Sequence, residues 1–326
     1  MELSFAPMEG ITSYVYRDVH ARLFPGADVY YAPFIAPDGR GNFKTGDLRD
    51  VLPENNSRIK LVPQILCNSA QPFLAVVRVL ADLGYEEVNL NAGCPSGTVV
   101  SKHKGAGMLL DLGSLDNCLA GIFSSCPLRV SVKTRMGMED SSEFPAILEV
   151  YKKYPLSRLI VHARSRSGMY KSRCDTGAFA AALPDCPFPV IYNGDIFSPS
   201  QLESLLQLCP GLSGVMLGRG AVTDPALFRR LLGGAELSRD ELQCFHDELL
   251  NVFLSSGLSP NYAVSRMKEL WFYMQHMFPD SGRPVRNILK SRSLADYCSA
   301  VRTLFSSCRF DGSLCFSSQA QTLNVM

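Results

Sequence analysis

Eight short, β-rich apolar runs punctuate this chain, with 25 to 42 residues between successive starts. They are Leu3–Met8, Val29–Phe34, Lys60–Leu66, Glu87–Asn91, Arg129–Thr134, Arg158–His162, Pro189–Asn193 and Gly214–Leu217. That interval is the length of one strand-plus-helix unit. Runs of nearly unbroken apolar character suit parallel strands buried on both faces. The stretches between them carry helical periodicity. In Ala70–Leu83, the residues Phe73, Val76, Val77, Leu80 and Leu83 share one face, with Ser69 placed to cap the helix and Gly84 to end it. Segments 141–153, 198–208 and 224–232 read the same way, the last with Asp224 as cap and Pro225 at the first helical position. Eight such units within residues 1–234 predict a closed (β/α)8 TIM barrel rather than an open doubly wound sheet.

The pattern changes after Gly233-Gly234. Helical periodicity covers 238–256 and 261–278, and 284–305 holds one or two more helices, so residues 235–310 are expected to form an all-helical domain. Periodicity is lost from Ser306, and 311–326 is expected to be an irregular tail. A barrel plus a small appendage also suits a chain of 326 residues that is 46% hydrophobic.

Net charge is only +1, so any nucleic-acid partner would need a local basic surface. Eleven cysteines occur without a CxxC pair or zinc-like spacing, which argues against a metal site. The N-terminus has no basic segment followed by an apolar stretch, and no run approaches the ~18 apolar residues of a membrane span. A cytoplasmic, reducing location is therefore expected, with no membrane partner.

In a barrel of this type, chemistry sits at the C-terminal ends of the strands. Those ends carry Pro7-Met8-Glu9, Gln64, Asn91-Ala92-Gly93-Cys94, Lys133 with Arg135, His162, Asn193-Gly194-Asp195 and Gly218-Arg219-Gly220. The last two loops offer glycine amides near helix starts, as a phosphate cradle requires, although glycines also serve tight turns. Lys133 interrupts an apolar strand; it could form a Schiff base or stabilise negative charge on a cofactor. His162 ends a strand on the same rim and suits ligand contact. Cys94, between Gly93 and Pro95, could be a nucleophile or a general acid, because a thiol of pKa about 8.5 is mostly protonated at neutral pH. Glycines on both sides of the segment that follows, including Gly105 and Gly107, suggest a mobile lid.

Eight motifs occur in order: Ala6-Pro7-Met8-Glu9-Gly10, Asn89-x-Asn91-x-Gly93-Cys94-Pro95, Gly105-Ala106-Gly107, Val132-Lys133-Thr134-Arg135, Val161-His162-Ala163-Arg164, Met169-Tyr170-Lys171, Asn193-Gly194-Asp195 and Gly218-Arg219-Gly220. Across nearly its whole length the chain resembles the tRNA-dihydrouridine synthases. The resemblance implies FMN as cofactor, NADPH as reductant and tRNA as partner, with reduction of the C5=C6 bond of a D-loop uridine. By the same analogy, reduced flavin gives hydride to C6 and Cys94 gives a proton to C5. Pro7, Met8, Glu9, Gln64, Lys133, His162, Asn193, Gly194, Asp195, Gly218 and Arg219 would hold FMN. Asn91 and Tyr170 would contact the uracil, and Arg266 and Lys268 the tRNA.

Two positions depart from the family pattern. His162-Ala163-Arg164-Ser165 replaces His-Gly-Arg-Thr, and Asp175-Thr176 replaces Asp-Trp. Between 263 and 310 there are eight Lys or Arg against three acids, a local +5, whereas 236–250 is acidic. That asymmetry suits a phosphate-contacting face. The sequence leaves open which uridine is reduced; the Glu9 form of the first motif points toward position 16. A monomer is the default. Rival readings are a flavin barrel acting on a free pyrimidine, a lyase using Lys133, and an RNA-binding protein on an inactive barrel.

Overall fold

A computed structural model describes residues 1–169, 172–257, 259–314 and 316. Nine parallel strands form one sheet: β1 (Glu2–Phe5), β2 (Val29–Tyr31), β3 (Leu61–Val62), β4 (Gln64–Ile65), β5 (Glu87–Ala92), β6 (Arg129–Gly137), β7 (Leu159–Ser165), β8 (Val190–Asn193) and β9 (Gly214–Leu217). The order around the sheet is β3-β2-β1-β9-β8-β7-β6-β5-β4. Its two ends are halves of one stave, the expected third strand, interrupted at Pro63. Proline has no N–H to give the ladder. Its carbonyl still accepts from the Asn89 amide at 2.9 Å. On one side β3 pairs with β2 through Tyr31 and Val62; on the other, β4 pairs with β5 through Gln64 and Asn89. The sheet thus returns on itself as a barrel.

The strand limits shift from expectation where polar chemistry begins. β1 and β2 stop early, at Phe5 and Tyr31, and the chain then turns across the barrel mouth. β6 and β7 run further, to Gly137 and Ser165. Period-two alternation sorts the strand residues. Leu3, Phe5, Val88, Leu90, Val130, Val132, Leu159 and Val161 face outward into the main core with the helices. Ala6, Val29, Tyr31, Val62, Ile160, Ile191 and Met216 form a separate inner cluster. Below the latter, buried Arg158 bridges Glu2 at 2.5 Å and Glu87 at 3.0 Å.

The helix Ala70–Asp82 buries Phe73, Val76, Val77 and Leu80 as expected, and Gly84 follows it at φ +86°. Ser69 occupies the cap position, but its side chain makes no capping hydrogen bond. Asp224 does not open the following helix, which spans Leu227–Leu231. It closes a turn instead, accepting from the Ala226 amide at 2.9 Å and pairing with Arg230 at 2.6 Å.

Four further helices follow: Arg239–Ser255, Pro260–Met274, Gly282–Lys290 and Leu294–Ser307. The first opens with a reciprocal capping box between Ser238 and Glu241. At their centre the buried Tyr297 hydroxyl meets Trp271 Nε1 at 2.8 Å and His246 Nε2 at 2.7 Å. The last helix continues through Ser306 and Ser307, where the sequence loses its period, and beyond it Phe316 is buried at 1% exposure. Among the described residues, no helix is long and apolar enough to cross a membrane.

Candidate active site

A cavity of about 370 Å³ opens at the C-terminal ends of the strands, within the size range of small-molecule sites. Pro7, Met8, Glu9, Gln64, Asn91, Cys94, Lys133, His162 and Arg219 all line it. Strand register explains the convergence. Asn91 lies beside Lys133, Arg135 beside His162, and His162 beside Asn193, all on inward-pointing positions.

An amide chain forms the floor. Gln64 Nε2 donates to Asn89 Oδ1 at 2.7 Å, and Asn91 Nδ2 donates to Gln64 Oε1 at 2.8 Å. The Asn91 side-chain oxygen, Oδ1, in turn accepts the amides of Gly93 (3.0 Å) and Cys94 (2.9 Å). Asn91 therefore shapes the turn that presents Cys94, and its position on the cavity wall is set by that work.

The turn is braced again by Arg135, which sequence reasoning placed on the rim without a role. Its Nε donates to the Gly93 carbonyl at 2.9 Å, and its Nη1 reaches the carbonyls of Ser165 (2.8 Å) and Met169 (3.2 Å). One guanidinium on β6 ties the loop after β5 to the loop after β7. On the other side, the Ala106 amide donates to the Cys94 carbonyl at 3.0 Å. Gly105 has φ +57°, and a Cβ there would lie 2.8 Å from the Cys94 carbonyl oxygen; one on Gly107 would lie 2.8 Å from that of Val100. These glycines allow close backbone approach, so the expectation that they flank a lid as hinges gives way to a packed support for the cysteine.

Electrostatics at the floor are strongly positive. Burial, then Arg135, pushes the Lys133 ammonium down to about 7, against a smaller opposing influence from Cys94. His162 lies well below the ordinary histidine range, mainly through burial and then through Arg135, Lys133, Arg164 and Arg219. Its ring is accordingly neutral at pH 7. Arg164 Nη1 lies 2.9 Å from His162 Nε2 and can only donate, so the His162 ring carries its single N–H on Nδ1.

Four expected site residues lie behind this wall. Asn193 Nδ2 donates to the Met216 carbonyl at 2.8 Å. Asp195 pairs with Arg164 and, at 2.5 Å, with Arg219, so it orients the arginine that reaches the cavity. Gly194 packs on Tyr192, whose hydroxyl would lie 2.3 Å from an added Cβ. Gly218 is the N-cap of the short helix Arg219–Thr223. Arg266 lies on a neighbouring cavity of about 240 Å³ with Glu9, Asp47 and Asp50. It donates to the Gly10 carbonyl at 2.9 Å and pairs with Glu269 at 2.6 Å. Lys268 hydrogen-bonds the Ser291 carbonyl. Tyr170 lies outside the described residues. Four aromatic wall residues were missed: Phe34 after β2, Phe272 and Tyr273 from the helical region, and Phe316.

A family model described as dihydrouridine synthase (Dus) matches residues 4–277. The chain belongs to the dihydrouridine synthase family. It is therefore an enzyme of the oxidoreductase class. Among curated relatives, the tRNA-dihydrouridine(16) synthase of Cupriavidus necator is 30% identical over 239 residues, covering 71% of this chain and 73% of its own. The corresponding protein of Shewanella oneidensis is 26% identical over 309 residues, covering 88% and 93%. The tRNA-dihydrouridine synthase B of Pseudomonas putida is 27% identical over 231 residues, covering 70% and 67%. Among solved structures, an old yellow enzyme homologue from Zymomonas mobilis superposes with a TM-score of 0.52 at 10% identity, over 75% of this chain and 92% of that one. That likeness concerns the barrel fold.

Proposed function

We propose that this family member is an FMN-dependent, NADPH-reduced tRNA-dihydrouridine synthase acting on a D-loop uridine, with position 16 the favoured target. The observation that carries the reading is one cavity holding the Cys94 thiol, the Lys133 ammonium and the neutral His162 ring. The donor set fits a flavin. Lys133 and Arg219 are cations suited to an anionic ring and a phosphate, Gln64 offers an amide, and His162 a neutral ring. In this reading, Asn193, Gly194, Asp195 and Gly218 support the phosphate end from behind, with Asp195 acting through Arg219, while Pro7, Met8 and Glu9 form the wall.

When bound, FMN supplies the hydride that adds to C6 of the uracil. The protein supplies the rest. Asn91 and Arg135 fix the Cys94 turn so that Sγ can hold a proton and release it to C5. A thiol on the cavity wall suits that task, because it needs no ionisation before reaction. Lys133 favours negative charge on the reduced ring electrostatically. Asn91 and Tyr170 would meet the uracil, which has to leave its stack to reach the floor.

The helical region, 235–310, would dock the tRNA body. Arg283, Arg286 and Lys290 are exposed at helical spacing i, i+3 and i+7, and Arg292 and Arg302 are exposed beside them. We assign phosphate contacts to this face together with Arg266 and Lys268, whose side chains also brace the helices internally. The deciding experiment compares wild type with Cys94→Ala for flavin content, tRNA binding and dihydrouridine formation. Flavin and tRNA binding should persist while dihydrouridine falls by at least about 100-fold, the scale of a lost general acid. Full activity in the variant, or equal turnover of free uracil and tRNA by wild type, would overturn the reading.

A further inference from the structure

Phe316 is an outlier in its own segment. Ser313 and Leu314 are exposed, yet Phe316 is 1% exposed and forms part of the wall shared with Cys94, Lys133 and Arg219. Four aromatic rings box it in: His276 at 4.9 Å, Tyr273 at 5.7 Å, Phe272 at 5.9 Å and Phe197 at 6.4 Å between centroids. The guanidinium carbon of Arg219 lies 5.2 Å from the centre of the Phe316 ring, within cation–π range.

The path to this position is strapped down. Arg239 donates to the carbonyls of Phe305 and Cys308 at 3.2 and 2.8 Å, tying the end of the last helix. The Asp311 amide donates to the Met277 carbonyl at 2.9 Å, and its carboxylate accepts from Ser313 N (3.1 Å) and Oγ (2.6 Å). Gly312 crosses so close to Leu237 that a Cβ would lie 2.4 Å from its carbonyl oxygen. Phe310 packs on Phe278 with centroids 5.4 Å apart. The segment is thus tied at several points before it delivers Phe316.

We propose that Phe316 walls off the phosphate end of the cofactor pocket, as a positioning residue that stacks on Arg219 and shields it from water. This rests on the flavin reading above. The guanidinium carbon sits over the face of the Phe316 ring. Hydrogen bonds leave a guanidinium in its plane, where Asp195 already takes one edge at 2.5 Å. Phe316 and Asp195 together restrict Arg219 in both directions, so it meets an incoming phosphate already oriented. Excluding water from that contact also strengthens it.

The test measures FMN and riboflavin binding to cofactor-stripped protein by quenching of flavin fluorescence, at equilibrium and in dissociation. Wild type is compared with Phe316→Ala, Phe316→Leu and a chain ending at Leu314. Removal of the ring should weaken FMN binding about tenfold or more, chiefly through faster dissociation, since ~1.4 kcal/mol corresponds to a factor of ten. Riboflavin, which lacks the phosphate, should lose much less. Phe316→Leu keeps the apolar bulk and loses the stacking, so it should resemble Phe316→Ala in the FMN-to-riboflavin ratio. Matching melting temperatures of the stripped proteins guard against misfolding, and Phe316→Leu serves if Phe316→Ala is unstable. Unchanged FMN binding in both the truncated chain and Phe316→Leu overturns this proposal alone, as does tighter binding, which would make the segment a competitor of the cofactor. A wild-type protein that binds neither flavin overturns the flavin reading itself.

Discussion

The ionisation of Lys133 can be tested directly. Burial and Arg135 hold its ammonium at about 7 in the protein without ligand. An anionic flavin beside it restores the preference for the charged form and raises that value toward the usual lysine range near 10.4. The sign follows from linkage. Binding takes up a proton at any pH between the free and bound values, so affinity is full below about 7 and falls as pH rises through the window above it. Three units of recovery would amount to about 4 kcal/mol across the window, and the slope approaches tenfold in Kd per pH unit. Binding of reduced FMN, whose ring is the anion, should therefore be measured anaerobically on stripped protein from pH 7 to 9, above the second ionisation of a phosphate near 6. Wild type should show Kd rising with pH, whereas Lys133→Met should bind more weakly at pH 7 and show no slope. Arg135→Gln removes the cation that depresses Lys133 and should move the onset of the slope to higher pH. A wild-type profile that is flat, or a slope that survives in Lys133→Met, would refute the reasoning.

His20 is held at about 3 by burial, between the Tyr30 hydroxyl at 2.8 Å and the Pro225 carbonyl at 3.0 Å. The unfolded chain binds its proton near 6.5, so stability should fall as pH drops below 6.5, by up to about 1.4 kcal/mol per unit; urea titrations of His20→Gln should lack that share of the slope. Arg158→Met leaves the buried Glu87 with only Arg129, 3.7 Å away, and the half-buried Glu2 without its cation, and should lower stability by about 3 kcal/mol near neutral pH in denaturant titrations. Gly105→Ala combines a positive φ with a contact on the Cys94 carbonyl, and should cost about 1 to 3 kcal/mol and slow dihydrouridine formation at unchanged flavin affinity. Replacing Arg283, Arg286 and Lys290 together by Gln should weaken tRNA binding and reduce its logarithmic salt slope by about 2 to 3; an unchanged slope would remove this face from the tRNA interface.

The barrel was legible because its signal is repetitive. Eight apolar runs at one spacing, each followed by polar residues, specify both the topology and the rim. Gln64, Asn91, Cys94, Lys133 and His162 could be found because each is polar at the end of an apolar strand. What stayed hidden depends on contacts distant in sequence. Nothing local tells that Gly105 exists to clear the Cys94 carbonyl, since a hinge glycine and a close-approach glycine look alike. Asp224-Pro225 has the composition of a helix start, but Arg230 and the Ala226 amide claim the carboxylate for a turn. Phe272 and Tyr273 lie outside the apolar stripe of their helix formed by Val264, Met267, Leu270, Trp271 and Met274, and read as surface. Phe316 stands in a segment without period, and only the fold brings it to Arg219. Arg135 was visible as a rim cation, but its three carbonyl partners were not.

The barrel's outer layer and the helical region share one uninterrupted core. Tyr16, on the barrel's first helix Tyr14–Leu23, and Phe24, which caps its C-terminus, each meet Phe245 of the helix Arg239–Ser255 at 5.5 Å between centroids. A hinge between the two regions would have to expose this aromatic surface to water, at about 25 cal/mol for every Å². This packing disfavours a hinge between the two regions, so the conformational yielding in a tRNA complex is expected to fall to the RNA. Heating should melt the barrel and the helical region in one transition. The uridine that reacts should be the one whose own stacking and pairing give way most easily within reach of the mouth.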